Sequence, residues 1–195
     1  MEKIINIYKQ DINYSPMGFI QSLLWIFYFL LPAGLANMAP VLFKKVNFLN
    51  TPIDFNIKFG NKELFGSHKT YRGFFFGIIV AIVIVLLQKL VYNSFPFGLV
   101  NYNEINIFLL GFLLGFGALF GDLVESFFKR RIGIKSGKVW FPFDQIDWVI
   151  GAFAFVAFYL TFQASYFWMG LGLFLILHLL VNYLGYLLKI KDTRF

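Results

Sequence analysis

Five apolar runs, each near the length that crosses a bilayer, leave this 195-residue chain few folds to choose from. A helix rises about 1.5 Å per residue, so roughly 20 mostly apolar residues span the hydrocarbon core. Residues 19–43 qualify, interrupted by Pro32 and Pro40, and residues 73–92 form the most uniform run, with a β-branched block at 78–85. The third run, 105–121, carries Gly111, Gly115, Gly117 and Gly121, a small-residue spacing that lets neighbouring backbones approach closely. The fourth, 148–162, is short for a span, and the fifth, 165–188, contains Gly170 and Gly172. The pattern predicts an all-α integral membrane protein: one domain over 1–195, five transmembrane helices, and two long loops at 44–72 and 122–147. The first eighteen residues are polar and the first run is long enough to span, so no cleavable signal peptide is expected.

Basic residues orient the spans. Lys44, Lys45, Lys58, Lys62, Lys69 and Arg72 fall in the first long loop; Lys129, Arg130, Arg131, Lys135 and Lys138 fall in the second; Lys189, Lys191 and Arg194 close the chain. The opposite side holds only Lys3 and Lys9, with Lys89 placed to snorkel toward that interface. The N-terminus is therefore expected outside, and the C-terminus and both basic loops in the cytoplasm. In a soluble protein the net charge of +7 would suggest nucleic acid; in a chain that is 59% hydrophobic it reads as topology and attraction to anionic lipid, with no nucleic-acid partner. Cysteine is absent, which excludes disulfides and thiolate metal sites.

Against that background the stretch 121–147 is unusual. It holds Asp122, Glu125, Asp144 and Asp147, four of the ten acidic residues, around five cations. Mg²⁺ takes one or two protein carboxylates and completes its shell from water and substrate phosphates, and two carboxylate sources at helix ends can supply that. The competing reading is that Asp144 or Asp147 only caps a helix N-terminus. Lys129, Arg130 and Arg131 form a basic run of the kind that usually just sets topology. Lys69, Thr70 and Arg72 stand immediately before a helix whose N-terminus favours anions, and arginine grips phosphate oxygens bidentately. The glycine-rich phosphate loop of P-loop enzymes is missing. Asn37, together with His178 and Asn182 four residues apart on one helical face, places polar groups within the spans near the same leaflet, which is a site hypothesis by default.

Residues 121–130 (GDLVESFFKR), with Gly133, Ile134, Lys135 and the closing Asp144-x-x-Asp147, resemble the signature of the CTP-dependent phosphatidate cytidylyltransferases. Within that superfamily the chain is most similar to the archaeal branch, the CDP-archaeol synthases, through residues 36–40 (ANMAP), 65–73 (FGSHKTYRG), 143–147 (FDQID), and His178, Asn182, Gly185, Tyr186 and Lys189. Three features depart from the phosphatidate type: Ser136 stands where an Asp is usual, a His-Gly-Gly element is missing, and Gln145 replaces an Arg. The resemblance implies a five-span enzyme that moves CMP from CTP to a membrane lipid phosphate with release of pyrophosphate.

It also implies roles for the residues singled out above. Asp122, Asp144 and Asp147 would bind Mg²⁺. Lys69, Thr70 and Arg72 would contact the CTP phosphates or the lipid phosphate, and Lys129 and Arg130 would neutralise pyrophosphate. Glu125, Ser126 and Lys135 would support the nucleotide or orient the metal ligands; Asn37, His178 and Asn182 would line the inner wall. Expected partners are CTP, a lipid phosphate and the bilayer, with glycine-rich spans that would permit a homodimer. The expected location is the cell membrane, with the active site facing the cytoplasm. The alternative is a small transporter or lipid-binding protein whose basic loops only set topology, which would call for polar residues leading to both faces.

Overall fold

The computed structural model describes residues 5–6 and 16–187. Five helices carry the fold: α1 (Pro16–Leu42), α2 (Tyr71–Ser94), α3 (Ile107–Arg131), α4 (Phe143–Val156) and α5 (Ala164–Leu187). Local chemistry sets several of their ends. The Thr70 hydroxyl accepts from the Gly73 amide at the start of α2, and the Asn106 side chain accepts from the Leu109 amide at the start of α3. At the end of α3, Gly133 takes a φ of +87° while the Ile134 amide donates back to Lys129, closing the last turn.

α3 lies at the centre, packed against α1, α2 and α4. Its glycines work as two i,i+4 pairs on different faces of the helix. Gly111 and Gly115 face α2, where an added Cβ would meet Ile82 and Ala81 at 2.7 Å. Gly117 and Gly121 face α4, where a Cβ would strike the backbone of Gly151 and Asp147. The glycine stripe is thus used within one chain, and it seats the two helices that carry the carboxylates almost backbone to backbone. The apolar core (Ile26, Phe29, Leu30, Leu110, Leu114, Val149 and Val156 among its members) fills the space between α1, α3 and α4.

Two boundaries differ from those read in the sequence. α3 does not stop at Gly121 but continues through Arg131, so the first part of the expected 122–147 loop is helix. Residues 122–131 hold no glycine or proline to stop the helix, and Leu123, Glu125, Ser126, Lys129 and Arg130 are buried along it. α4 begins at Phe143 and ends at Val156, fourteen residues in place of the expected span 148–162. Among the described residues four helices are long and apolar enough to cross a membrane, and α4, shorter than the roughly 20 residues needed, is not among them. The chain beyond α4 turns into a two-residue strand, β4 (Leu160–Thr161), which pairs in parallel with β1 (Ile5–Asn6).

The stretch between α1 and α2 is folded back onto the end of α3. A short antiparallel hairpin, β2 (Lys58–Phe59) and β3 (Lys62–Glu63), turns at Gly60. Asp54, itself buried, accepts from the Asn56 and Phe65 amides and fixes the hairpin's base. Arg131 donates to the carbonyls of Phe59 and Glu63 and stacks over Phe59 and Phe127, while Lys62 donates to the Arg131 carbonyl at 2.8 Å. The last turn of α3 therefore holds the hairpin, and the hairpin leads into Lys69. The tail cations Lys189, Lys191 and Arg194, and Lys3 and Lys9, lie outside the described residues.

Candidate active site

α3 supplies Asp122, Glu125, Ser126, Lys129 and Arg130, which recur at helical spacing on one face because the helix runs on past Gly121. α4 supplies Asp144 and Asp147 from its first turns. The close Gly121–Asp147 backbone contact brings those two sets together. They line a cavity of about 320 Å³, with Lys69, Ser136 and Lys138 on its other walls.

Ligand oxygens of Asp122, Glu125 and Asp147 all lie within 4.8 Å of one another. Asp144 stands beside this group but is engaged elsewhere. Its Oδ1 accepts from Lys129 Nζ at 2.7 Å and its Oδ2 from the Trp140 amide at 2.9 Å. Burial alone would raise the Asp144 carboxyl; hydrogen bonds shared with Glu125 and accepted from Lys129 and the Trp140 amide outweigh it and hold the group below the usual carboxylate range. Glu125, and not Asp144, thus stands with Asp122 and Asp147 in the cluster of three carboxylates. No side chain caps α4 by hydrogen bond, though Asp144 lies in its first turn, and Asp147 accepts from the adjacent Trp148 amide at 2.6 Å.

Three carboxylates this close repel one another, and the nearby cations offset only part of that. Lys69 pairs with Asp122 at 2.5 Å, and Lys129 lies 3.3 Å from Glu125 Oε1. That second contact is electrostatic rather than an aligned hydrogen bond, for Glu125 Oε1 is buried with no hydrogen-bond partner. A hard, all-oxygen donor set, with a buried carboxylate oxygen that has no hydrogen-bond partner, fits a divalent cation of the Mg²⁺ type.

A second polar cavity, about 520 Å³, lies on the far side of the Lys69–Asp122 pair. Asn37, Lys44, Asn50, Thr70 and Arg72 line it, and it shares His68, Lys69 and Asp122 with the first. Arg72 is buried, donates to the Val46 carbonyl at 2.9 Å and holds the 46–49 strand of loop in place; its Nε has no hydrogen-bond partner. Arg130 is buried too and donates to the Ile134 carbonyl at 2.5 Å. Thr70 serves first as the helix cap of α2.

Not every expected residue converges. Lys135 is exposed and lines neither polar cavity, although its neighbours Ser136 and Lys138 line the first. His178 is exposed and Asn182 is buried on α5, and neither borders the two cavities. Lys44 and Lys138, read in the sequence only as orienting cations, line these cavities together with Asn50 and Ser136, because the paths of their loops are set by distant contacts.

With this geometry in hand, the comparisons are specific. The chain matches the CarS-like family, CDP-archaeol synthase, over residues 19–195. It belongs to that family. The CDP-archaeol synthase of Methanococcus aeolicus is 34% identical over 186 residues, covering 91% of this chain and 99% of the relative. That of Thermococcus onnurineus is 40% identical over 138 residues, covering 70% and 75%. A solved structure of an intramembrane enzyme for archaeal membrane lipids biosynthesis superposes with a TM-score of 0.67 at 28% identity, covering 82% of this chain and 94% of that one. Membership in the CDP-archaeol synthase family joins the multi-pass helical architecture to the carboxylate cluster, and makes the phosphate chemistry of the two cavities the question to answer.

Proposed function

We propose that the chain catalyses transfer of CMP from CTP to a membrane lipid phosphate, giving a CDP-activated lipid and pyrophosphate. One observation carries the reading: the carboxylates Asp122, Glu125 and Asp147 converge within 4.8 Å of one another beside cavities walled by cations. An oxygen of the lipid phosphate forms a bond to the α-phosphorus of CTP, the bond from that phosphorus to the oxygen bridging to the β-phosphorus breaks, and pyrophosphate leaves with the electron pair. No protein nucleophile is needed. Catalysis then rests on holding two phosphates in line and on stabilising the charge that develops.

Lys69, Lys129, Arg130 and Lys138 face the first cavity, and Lys44, Lys69 and Arg72 face the second, so two phosphorylated substrates can be held on either side of the Lys69–Asp122 pair. Arg72 and Arg130 are already fixed by backbone carbonyls, which leaves their remaining N–H groups oriented for phosphate oxygens. Asp122, Glu125 and Asp147 would hold Mg²⁺. A bound divalent cation polarises phosphoryl oxygens and neutralises charge on the triphosphate. Every residue invoked lies in one chain, so the reading requires no second copy, and the positive charge serves nucleotide and lipid phosphates without nucleic acid.

The whole chain is read as one membrane domain of the cell membrane. The bias of lysine and arginine toward the 44–72 and 122–147 segments supports a site open to the cytoplasm, where CTP is found. The test is purified protein with labelled CTP, Mg²⁺ and a lipid phosphate: pyrophosphate release that needs both lipid and metal supports the reading. Release with no lipid requirement would make the activity CTP hydrolysis instead, and no release with any ether or ester lipid phosphate would move the chain to the transport or lipid-binding class.

A further inference from the structure

α3 and α4 enclose a third cavity, of about 390 Å³, whose character is opposite to that of the polar pair. Phe120, Val124 and Phe128 stand on it at i,i+4,i+8 along α3, and Ile150 and Ala154 stand on it at i,i+4 along α4. All five are exposed, although each is apolar, so the groove opens toward the bilayer. Gly121 and Gly151 form its floor, where the two backbones meet. Only two ionisable groups touch it, Glu125 and Asp147, and both also line the 320 Å³ polar cavity. The groove and the phosphate site therefore share one wall, apolar on the membrane side and charged on the other. The 520 Å³ cavity sets Lys44, Lys69 and Arg72 beside Val41, Phe74 and Leu119, and is far more polar than the groove.

We propose that the α3–α4 groove binds the hydrocarbon chain of the lipid phosphate, with Ala154 setting how much chain it admits; this rests on the cytidylyl-transfer reading above. The lipid's phosphate then lies on the Lys129 side of the carboxylates, its chain leaves between α3 and α4, and the nucleotide approaches from the Lys69–Arg72 side. The shortness of α4 suits this arrangement, because a short helix leaves the groove open along the bilayer.

Ala154→Phe fills the groove from an exposed position. Expected is a rise in KM for a long-chain dialkylglycerol phosphate of roughly tenfold or more, with KM for CTP and turnover of the short-chain homologue within about twofold of wild type. Val83→Phe, at an exposed site on α2, should change none of these. An equal loss with long and short chains, or a raised KM for CTP, overturns the assignment. A second measurement does not depend on folding of a variant or on turnover: a long-chain alkyl phosphate with a diazirine near its tail end, photolysed on the wild-type protein. Labelling within 120–128 and 146–155 supports the groove, and labelling confined to α1, α2 or α5 overturns it. If no lipid phosphate supports CTP turnover yet the label still falls in the groove, the cytidylyl reading fails while the chain site stands.

Discussion

Lys129 Nζ stands 2.7 Å from Asp144 Oδ1 and 3.3 Å from Glu125 Oε1, so one ammonium group joins the last turns of α3 to the first turn of α4. The Lys129 side chain is only 8% exposed. A cation in this place does two things: it satisfies carboxylates that burial would otherwise penalise, and it faces the cavity where phosphate charge must be met.

Replacing it separates these effects. Lys129→Met leaves Glu125 and Asp144 without their cation, and breaking a buried pair costs about 3–5 kcal/mol. The partly exposed Asp144 should bring the loss toward the lower figure. Unfolding in detergent should show the lower stability, and CTP turnover should fall by at least about a hundredfold. Lys129→Arg should recover stability more fully than turnover, since the planar guanidinium keeps the charge but not the position. A Met variant with wild-type stability would show that the pair carries no structural weight.

Gly151 is a second lever on the same geometry. A Cβ there would run into the Gly117 carbonyl and the Gly121 backbone, so Gly151→Ala must push α3 and α4 apart. Overpacking of this kind costs about 1–3 kcal/mol. Because the same contact sets the distance from Asp122 and Glu125 to Asp147, the variant should need more Mg²⁺ for half-maximal turnover as well as unfold earlier. Gly172→Ala, with nothing within 4 Å of the added carbon, is the matched control and should do neither.

Much of the helical architecture was readable in the sequence, for identifiable reasons. Five apolar runs are a one-dimensional signal, and the carboxylates and cations of 121–147 sit close enough in sequence to be noticed together. The differences share a cause. Glu125, rather than Asp144, stands with Asp122 and Asp147 because Lys129 reaches across to Asp144, a contact between two helices that spacing cannot express. α3 runs on past Gly121, where its charges suggest a loop, because Glu125, Lys129 and Arg130 are buried along it instead of solvated. His178 and Asn182 share a helical face, but that face does not border the polar cavities, and the orientation of α5 is set by its packing on α1 and α4.

Arg131 offers a test of the hairpin that leads into Lys69. It donates to the Phe59 and Glu63 carbonyls and stacks on Phe59 and Phe127, yet it lines neither polar cavity. Arg131→Gln should free the hairpin, exposing Lys58 and Lys62 to limited trypsin cleavage. It should raise KM for CTP several-fold, about 1 kcal/mol, with a smaller change in kcat. Arg131→Lys keeps the charge but loses the fork that bonds both carbonyls, so it should resemble the Gln variant. Wild-type protease resistance in both would mean the hairpin is held by other contacts.

The identity of the metal ligands can be decided without measuring turnover. Two carboxylates about 4 Å apart repel by roughly 4 kcal/mol at an effective dielectric near 20, and three such groups meet here, so a divalent cation that binds them should stabilise the fold. The unfolding midpoint of the wild-type protein should rise with Mg²⁺ and return on chelation. Asp122→Asn, Glu125→Gln and Asp147→Asn should each remove most of that rise; Asp147→Asn, which breaks neither the Lys69–Asp122 nor the Lys129–Glu125 pair, should already be as stable as wild type or more so without metal, since repulsion is relieved. Asp144→Asn should behave differently: it breaks the Lys129 bridge, lowers stability at every Mg²⁺ concentration, and keeps the metal-dependent rise. Should Glu125→Gln keep the rise and Asp144→Asn lose it, the metal sits on Asp122, Asp144 and Asp147, and Lys129 gives up Asp144 when the cation binds.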